Sequence, residues 1–397
     1  MEIKKLKDLC IGKGEYGIAA PAEPFSESKY RYLRITDISD NGTLLSDDPK
    51  SVSCPGCEKC ILQENDIVFA RTGNSTGRAF FYEPKYGELV YAGFLIKFHL
   101  DDTKVNPKYM KYYTISQTYR NWVNNGPTGS TRGNMSEGDF ADMPVFLPSR
   151  KQQDTIVNLF SPFDEKIDNN NAIAAELEGM AKDLYDYWFV QFDFPDENGK
   201  PYKSSGGKMV WNEELKREIP EGWEATKFSE ILAKVPNTEK IPTNNYRKEG
   251  RWPIIDQSAD YIAGYTNNEK AILDNRSGCI VFGDHTGYVK YVNFPFARGA
   301  DGTQVIWSQK ENFPSSLLFH MVKRIPLPNV GYSRHFMFLK ESTVFSPPIE
   351  LAKRYDTVTS RFYQKIKEAT FENVELASLR DFLLPMLMNG QVKVKGA

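Results

Sequence analysis

Residues 148–190 read PSRKQQDTIVNLFSPFDEKIDNNNAIAAELEGMAKDLYDYWFV, and the rest of the chain is organised around them. Pro148 and Ser149, followed by polar residues, form a helix start signal. Apolar residues then recur at Ile156, Phe160, Phe163, Ile167, Ala174, Leu177, Ala181, Leu184 and Trp188, with Asn170 filling the gap, so the steps alternate between four and three. That spacing is a heptad seam and predicts a helix packed lengthwise against another helix. From Ile156 to Trp188 such a helix spans roughly 50 Å at about 1.5 Å per residue, too long for the core helix of one small domain.

The partner is written in the same chain. Shifting every position by 347 − 148 = 199 carries Pro148 to Pro347, Phe163 to Phe362, Lys166 to Lys365, Ile167 to Ile366, Leu177 to Leu376 and Leu184 to Leu383. The seam face Ile156, Phe163, Asn170, Leu177 and Leu184 lands on Tyr355, Phe362, Ala369, Leu376 and Leu383. A shared proline start and a shared seam without gaps mark an internal duplication at half-length. Pro385 is expected to interrupt the last turns of the second helix.

The segments before the two helices follow one plan. In the first, Tyr32–Ile38 alternates as a strand and Asp66–Ala70 reads as a buried strand. A polar loop follows, Arg71-Thr72-Gly73-Asn74-Ser75-Thr76-Gly77-Arg78, and Asn106-Pro107 starts a short helix. In the second, Cys279–Phe282 parallels Asp66–Phe69 and leads into Gly283-Asp284-His285-Thr286-Gly287. Gly331-Tyr332-Ser333-Arg334 parallels Gly129-Ser130-Thr131-Arg132 at an offset of 334 − 132 = 202. The reading is therefore α/β (α+β): two similar domains, residues 1–147 and 219–346, alternating with helices over 148–190 and 347–397. The helices pair antiparallel as a coiled-coil spacer with pseudo-two-fold symmetry. Residues 191–218 are turn-rich and read as a connector.

Composition bounds the function. The 397 residues carry a formal net charge of −2, which gives no support to a general polyanion binder. No apolar run approaches the ~18 residues of a membrane span, and no signal peptide is evident, so the expected location is the cytoplasm. Five cysteines, an odd number, suit reduced thiols better than a disulfide framework. Cys54, Cys57 and Cys60 have ligand spacing for a structural metal but lack an assured fourth ligand, and a turn with free thiols is the alternative. Gly12, Gly14 and Gly17 match a dinucleotide fingerprint only on paper, since the Pro-containing residues after them cannot run on as a helix. No phosphate-binding loop, amino-methylating motif or nuclease core stands out. The four histidines, His99, His285, His320 and His335, have no metal spacing. No catalytic residue is assigned.

The polar loops carry what chemistry there is. Arg71, Asn74, Ser75, Thr76, Arg78, Ser130, Thr131, Arg132 and Asn134 in the first domain are of the types that read base edges and hold phosphates. So are Asp284, His285, Lys290, Ser333, Arg334 and His335 in the second. Any one such loop taken alone reads more readily as polar surface; their recurrence in both copies favours recognition.

The order of domain, long helix, connector, domain, long helix resembles the specificity subunits of type I restriction–modification systems. The residues carrying the resemblance are Gly129–Arg132, Pro148 with its helix, Phe192–Pro195 with Pro201–Gly207, Ile219–Trp223 and the repeated Pro347 helix. The resemblance implies a non-catalytic subunit whose two domains each read half of a bipartite site in double-stranded DNA. Its helix pair would set the spacing and dock two methyltransferase subunits, with ATP-dependent restriction subunits as further partners. S-adenosylmethionine, ATP and magnesium would belong to those partners, and no cofactor to this chain. The Cys54–Cys60 cluster departs from the family pattern. The rival reading is a protein-interaction scaffold in which paired helices carry two adaptor domains.

Overall fold

Two strands seal each half of the chain in the same way. Glu2–Lys5 pairs antiparallel with Pro144–Leu147, and Glu224–Lys227 pairs antiparallel with Thr343–Ser346. In both cases the second strand runs straight into a long helix. The structure is a computed structural model and describes residues 2–45, 48–126, 134–300, 302–327 and 334–388. It divides into two units, residues 1–167 with 374–397, and residues 168–373.

Inside the first unit one sheet runs Glu15–Tyr16, Leu95–His99, Asp66–Ala70, Ala79–Phe81, all antiparallel. A second sheet runs Glu23–Pro24, Lys50–Val52, Tyr30–Leu33, Leu89–Tyr91, and its last pair is parallel. The second unit repeats this. Val289–Val292, Cys279–Gly283 and Thr303–Ile306 form an antiparallel sheet. Gly264–Thr266, Trp252–Ile255, Phe296–Arg298 and Ile272–Leu273 form the other, again with one parallel pair, Trp252–Ile255 beside Phe296–Arg298.

The two apolar runs at the centre are explained by this layering. Ile67 and Phe69 face one core while Val68 and Ala70 face another. Ile280 and Phe282 likewise face one core, with Cys279 and Val281 facing a second. A strand covered on both faces reads as a continuous apolar run rather than an alternating one. Asn106 caps the helix Pro107–Tyr113 by accepting from the Lys108 amide at 3.1 Å, with Pro at the first turn where no donor is needed.

The duplicated helices begin at matching positions, Arg150 and Ile349, again 199 apart. The first runs to Tyr185 and ends in a wider turn over Asp186–Val190. The second runs to Met388, through Pro385. The expected interruption is corrected: the helix tolerates this proline, as the first tolerates Pro162, and Leu384 and Met388 beside it are buried in the first unit's core. Within the second unit Asn170 meets Glu372 and Asn373, and the Ala181 carbonyl meets the Tyr355 hydroxyl, so the helices run antiparallel. Within the first, Arg380 lies 3.6 Å from Asp164, and Ile156 and Phe160 share a core with Leu384. Phe163, Leu177, Leu184, Phe362, Leu376 and Leu383 on the seam are half-buried.

Residues 191–218 are not an open linker. Phe194 stacks on Trp223 and Tyr202, and Met209–Asn212 forms a hairpin with Arg217–Pro220. Cys54 and Cys57 are joined in a disulfide, which corrects the expectation of free thiols for that pair and removes two of the three candidate metal ligands. Cys60 is free. Among the described residues no group of three metal-ligating side chains gathers, and no helix is long and apolar enough to cross a membrane.

Candidate nucleic-acid interface

In each unit the buried central strand delivers its polar loop next to the segment that precedes the last strand. The Met135 amide donates to the Arg71 carbonyl at 2.8 Å. At the matching place the His335 amide donates to the Asp284 carbonyl at 3.0 Å. Loop 71–78 and residue 134 are thus brought together in the first head, and loop 283–287 with residues 334–335 in the second. Ser130, Thr131, Arg132 and Ser333 lie outside the described residues.

The candidate side chains then separate by what they touch. In the first head Asn74 and Asn134 are exposed. The Arg71 guanidinium sits 5.2 Å from the Tyr16 ring centroid and donates to the Met135 carbonyl, which fixes its direction while leaving it half-exposed. Ser75 is buried, and the Thr76 hydroxyl donates to the Gly73 carbonyl within its own turn. Arg78 is tied to Asp40 at 2.7 Å and to the Ile38 carbonyl, so it shapes the loop.

In the second head Arg334 and His285 are exposed and His335 is half-buried. Asp284 is turned inward. Its carboxylate accepts from the Phe336 amide at 2.8 Å, at the start of the helix His335–Glu341. Lys290 is also turned inward, with Nζ donating to the backbone carbonyls of Asp256 and Asp260. Burial pulls its pKa down to about 8 against the pull of the two aspartates. Asp284 and Lys290 thus each hold neighbouring backbone in place, Asp284 at Phe336 and Lys290 at Asp256 and Asp260.

Sequence reasoning missed two features of the second head. An open groove of about 570 Å³ is lined by Ile241, Asn244, Asn245, Tyr246, Arg247, Thr266, Asn267 and Asn268. The matching place in the first head holds the Cys54–Cys57 loop packed on Val52, Tyr32 and Ile18. The second feature is Arg298, half-buried at the end of its strand. Nothing in the local sequence separates it from its core neighbours Phe296 and Ala297.

The Gly12–Gly17 stretch runs into the strand Glu15–Tyr16 and not into a helix, which removes the dinucleotide reading.

Comparison with known proteins places this geometry. Residues 1–179 match the model of the type I restriction modification DNA specificity domain. The chain is 23% identical over 310 residues to the type I restriction enzyme MjaIX specificity subunit of Methanocaldococcus jannaschii, covering 72% of this chain and 69% of that protein. It is 23% identical over 419 residues to the putative MjaX specificity subunit of the same organism, covering 99% and 94%. A solved structure, the type I restriction–modification S subunit of M. genitalium, superposes with a TM-score of 0.53 at 16% identity, covering 97% of this chain and 95% of that one, and shows the shared fold. The matched domain ends inside the first long helix, and its strand order and helix return in the second half of the chain: residues 1–179 carry the type I restriction modification DNA specificity domain, and the chain is similar along its length to specificity subunits of type I restriction enzymes.

Proposed function

We propose that the two heads of this specificity subunit each read one half of a bipartite site in double-stranded DNA, and that the paired helices set the distance between the halves. The observation that carries the reading is the repeat itself: one strand order presenting two loop clusters of different composition. Arg71, Asn74 and Asn134 are the exposed or half-exposed readers in the first head, and His285, Arg334 and His335 in the second. Different loops on like scaffolds suit a site whose halves differ in sequence. Ser130, Thr131, Arg132 and Ser333 are assigned to the same loops from the sequence alone.

The chain is the recognition subunit and not the catalyst. Two methyltransferase subunits using S-adenosylmethionine, and restriction subunits using ATP and magnesium, are the partners this role calls for. A subunit with a net charge of −2 supplies little of the non-specific phosphate attraction, so such partners would supply the basic surface.

Mapping methylated sites in cells carrying variants tests both parts. Arg334→Ala is expected to relax one half of the motif and leave the other intact, with a loss of about 1–3 kcal/mol if the arginine bonds a guanine edge. Lengthening both helices by equal heptads is expected to widen the gap between the halves. An unchanged motif in the first variant removes Arg334 from the interface, and an unchanged gap in the second removes the ruler.

A further inference from the structure

Arg298 is the last residue of its strand and lies beside Ile255 of the parallel neighbour. Its carbonyl accepts from the Ile241 amide, which holds the backbone in place. By strand alternation its side chain shares a face with Phe296, which belongs to the apolar layer between the two sheets of the second head. Its Nε is buried and has no hydrogen-bond partner among the described residues. Burial lowers the guanidinium pKa.

Thr303 opens the next strand, only a short loop away, opposite Gly283 in the sheet. It shares a face with Val305 of the same apolar layer. It is 1% exposed, and its hydroxyl also has no partner among the described residues. Buried polar groups are nearly always paired, so two unpaired ones at one end of one layer point to a missing partner.

The first head fills the matching place with core side chains. The register puts Tyr91 where Arg298 stands and Leu95 where Thr303 stands. Both are buried members of an apolar core, at 1% and 0% exposure. Core filling would suffice in the second head as well, yet it carries a charge there.

The loops beside Thr303 are built against one another. The Gln257 side-chain oxygen accepts from the His285 amide at 3.3 Å, and its carbonyl accepts from the Thr286 hydroxyl at 2.7 Å. A Cβ on Gly302 would meet that Gln257 oxygen at 2.6 Å and the His285 ring at 2.7 Å, so three loops close on one another around Gln257. Loop 283–287, already assigned to the reading surface, is one of them.

We propose that Arg298 is a specificity-determining residue of the second head, presenting its guanidinium to a guanine edge in the major groove. The inference rests on the DNA reading proposed above and deepens it. Guanine offers two acceptors, O6 and N7, matched to the fork of an arginine. A phosphate would be met as well by any exposed lysine.

The test is selection of bound sequences from a random duplex library by the complex isolated through the full chain, wild type against Arg298→Met and Arg298→Lys. The expected result is loss of a guanine preference at one base pair of one half-site, roughly 5- to 150-fold, with every other position kept and no rescue by lysine. The melting temperature of Arg298→Met is expected to be unchanged or raised, because the side chain it replaces has no partner in the free protein. An unchanged motif, a uniform weakening on all sequences, or a lowered melting temperature would each overturn the inference while leaving the two-headed reading in place. A wild-type selection that yields no motif would overturn the two-headed reading itself, and this inference with it.

Discussion

Each head is fastened to its own stretch of the helix pair, and the two fastenings use opposite chemistry at equivalent positions. In the first unit Asp164 of the long helix sits 2.8 Å from Lys111 and accepts from the Tyr112 hydroxyl at 2.9 Å. Lys111 also reaches Glu83 at 3.1 Å, and Arg380 of the second helix approaches Asp164 at 3.6 Å. Burial pulls the Lys111 amine down, but Asp164 and Glu83 outweigh it and hold its pKa above the ordinary value. In the second unit position 164 + 199 = 363 is a tyrosine. Its hydroxyl lies 2.7 Å from His320 Nε2, and His320 stacks on Tyr185. His320 is the sixth residue of its helix, as Tyr112 is of its own. At this one place of contact the first copy carries an ionic network and the second a neutral aromatic pair, while ion pairs of the second unit, Arg324 with Asp186 and Lys353 with Glu311, lie elsewhere along the joint. The seam fixes where the helices meet, and what crosses between helix and head is free to change as long as every polar atom is matched.

Breaking the ionic side is expected to cost most. Asp164→Ala leaves Lys111 and Arg380 facing each other's surroundings without the shared carboxylate, a loss of about 3 kcal/mol for a buried network missing one member. Hydrogen exchange should show the loss as faster opening of residues 107–113 and 150–167, with the second unit's core unaffected. Replacing Lys111 and Asp164 together by Met and Leu should return part of that loss, because the pair's burial cost goes with its attraction while Tyr112, Arg380 and Glu83 each still lose a partner.

Acid distinguishes the two sides at lower cost. Burial, reinforced by Lys323, Arg324 and Lys182 and opposed by Asp186, lowers the His320 pKa from 6.5 to about 3. The unfolded chain therefore takes a proton below about pH 6.5 that the folded chain refuses, and stability falls by about 1.4 kcal/mol per pH unit down to about pH 3. Asp356, raised by burial, has the opposite sign and gains as pH falls. The histidine contribution is thus read as the difference between wild type and His320→Gln, which keeps a group able to bond Tyr363. On the ionic side, burial pushes Glu83 up, but Lys111 and Lys85 outweigh it and keep its pKa low. Its contribution is lost only below about pH 4.5. Hydrogen exchange at pH 7 and pH 5.5, corrected for intrinsic rate, should therefore loosen residues 315–324 in wild type and not in the variant. Equal loosening in both would remove His320 from the account.

The helices and the repeat were legible because their evidence is periodic and local. Positions 150 and 349 begin helices at the offset that Pro148 and Pro347 define. The buried strands were legible because a chain covered on both faces has few other spellings. The reading loops were only half legible. Asp284, Lys290 and Arg78 look like Asn74 and Arg334 in a sequence, and what separates them is a partner far along the chain: Phe336, Asp256 and Asp40. Arg298 was hidden by register. It matches Tyr91 at an offset of 298 − 91 = 207, while Thr303 matches Leu95 at 303 − 95 = 208 and the helices match at 199. Loops of unequal length shift the frame between elements, so an ungapped comparison of the halves never sets these residues side by side. The Cys54–Cys57 bond was missed because spacing is the same for thiols, metal ligands and a disulfide.

The smallest test takes the comparison down to one oxygen. Tyr363 is 3% exposed and fills its space by stacking on Tyr291, with centroids 4.0 Å apart. Tyr363→Phe keeps the ring and removes only the hydroxyl that faces His320. A neutral hydrogen bond contributes about 1 kcal/mol, and the orphaned imidazole nitrogen adds the cost of a buried unmatched group, so the loss should be about 1–2 kcal/mol. That is less than for Asp164→Ala, where the partners left behind are charged. Urea unfolding of both variants measures the ranking directly. If Tyr363→Phe costs as much as Asp164→Ala, the aromatic joint depends on its polar link as strongly as the ionic one does, and the contrast between the two fastenings fails. If it costs nothing, the hydroxyl adds nothing to the stacked rings at this position, and the histidine is there for its shape.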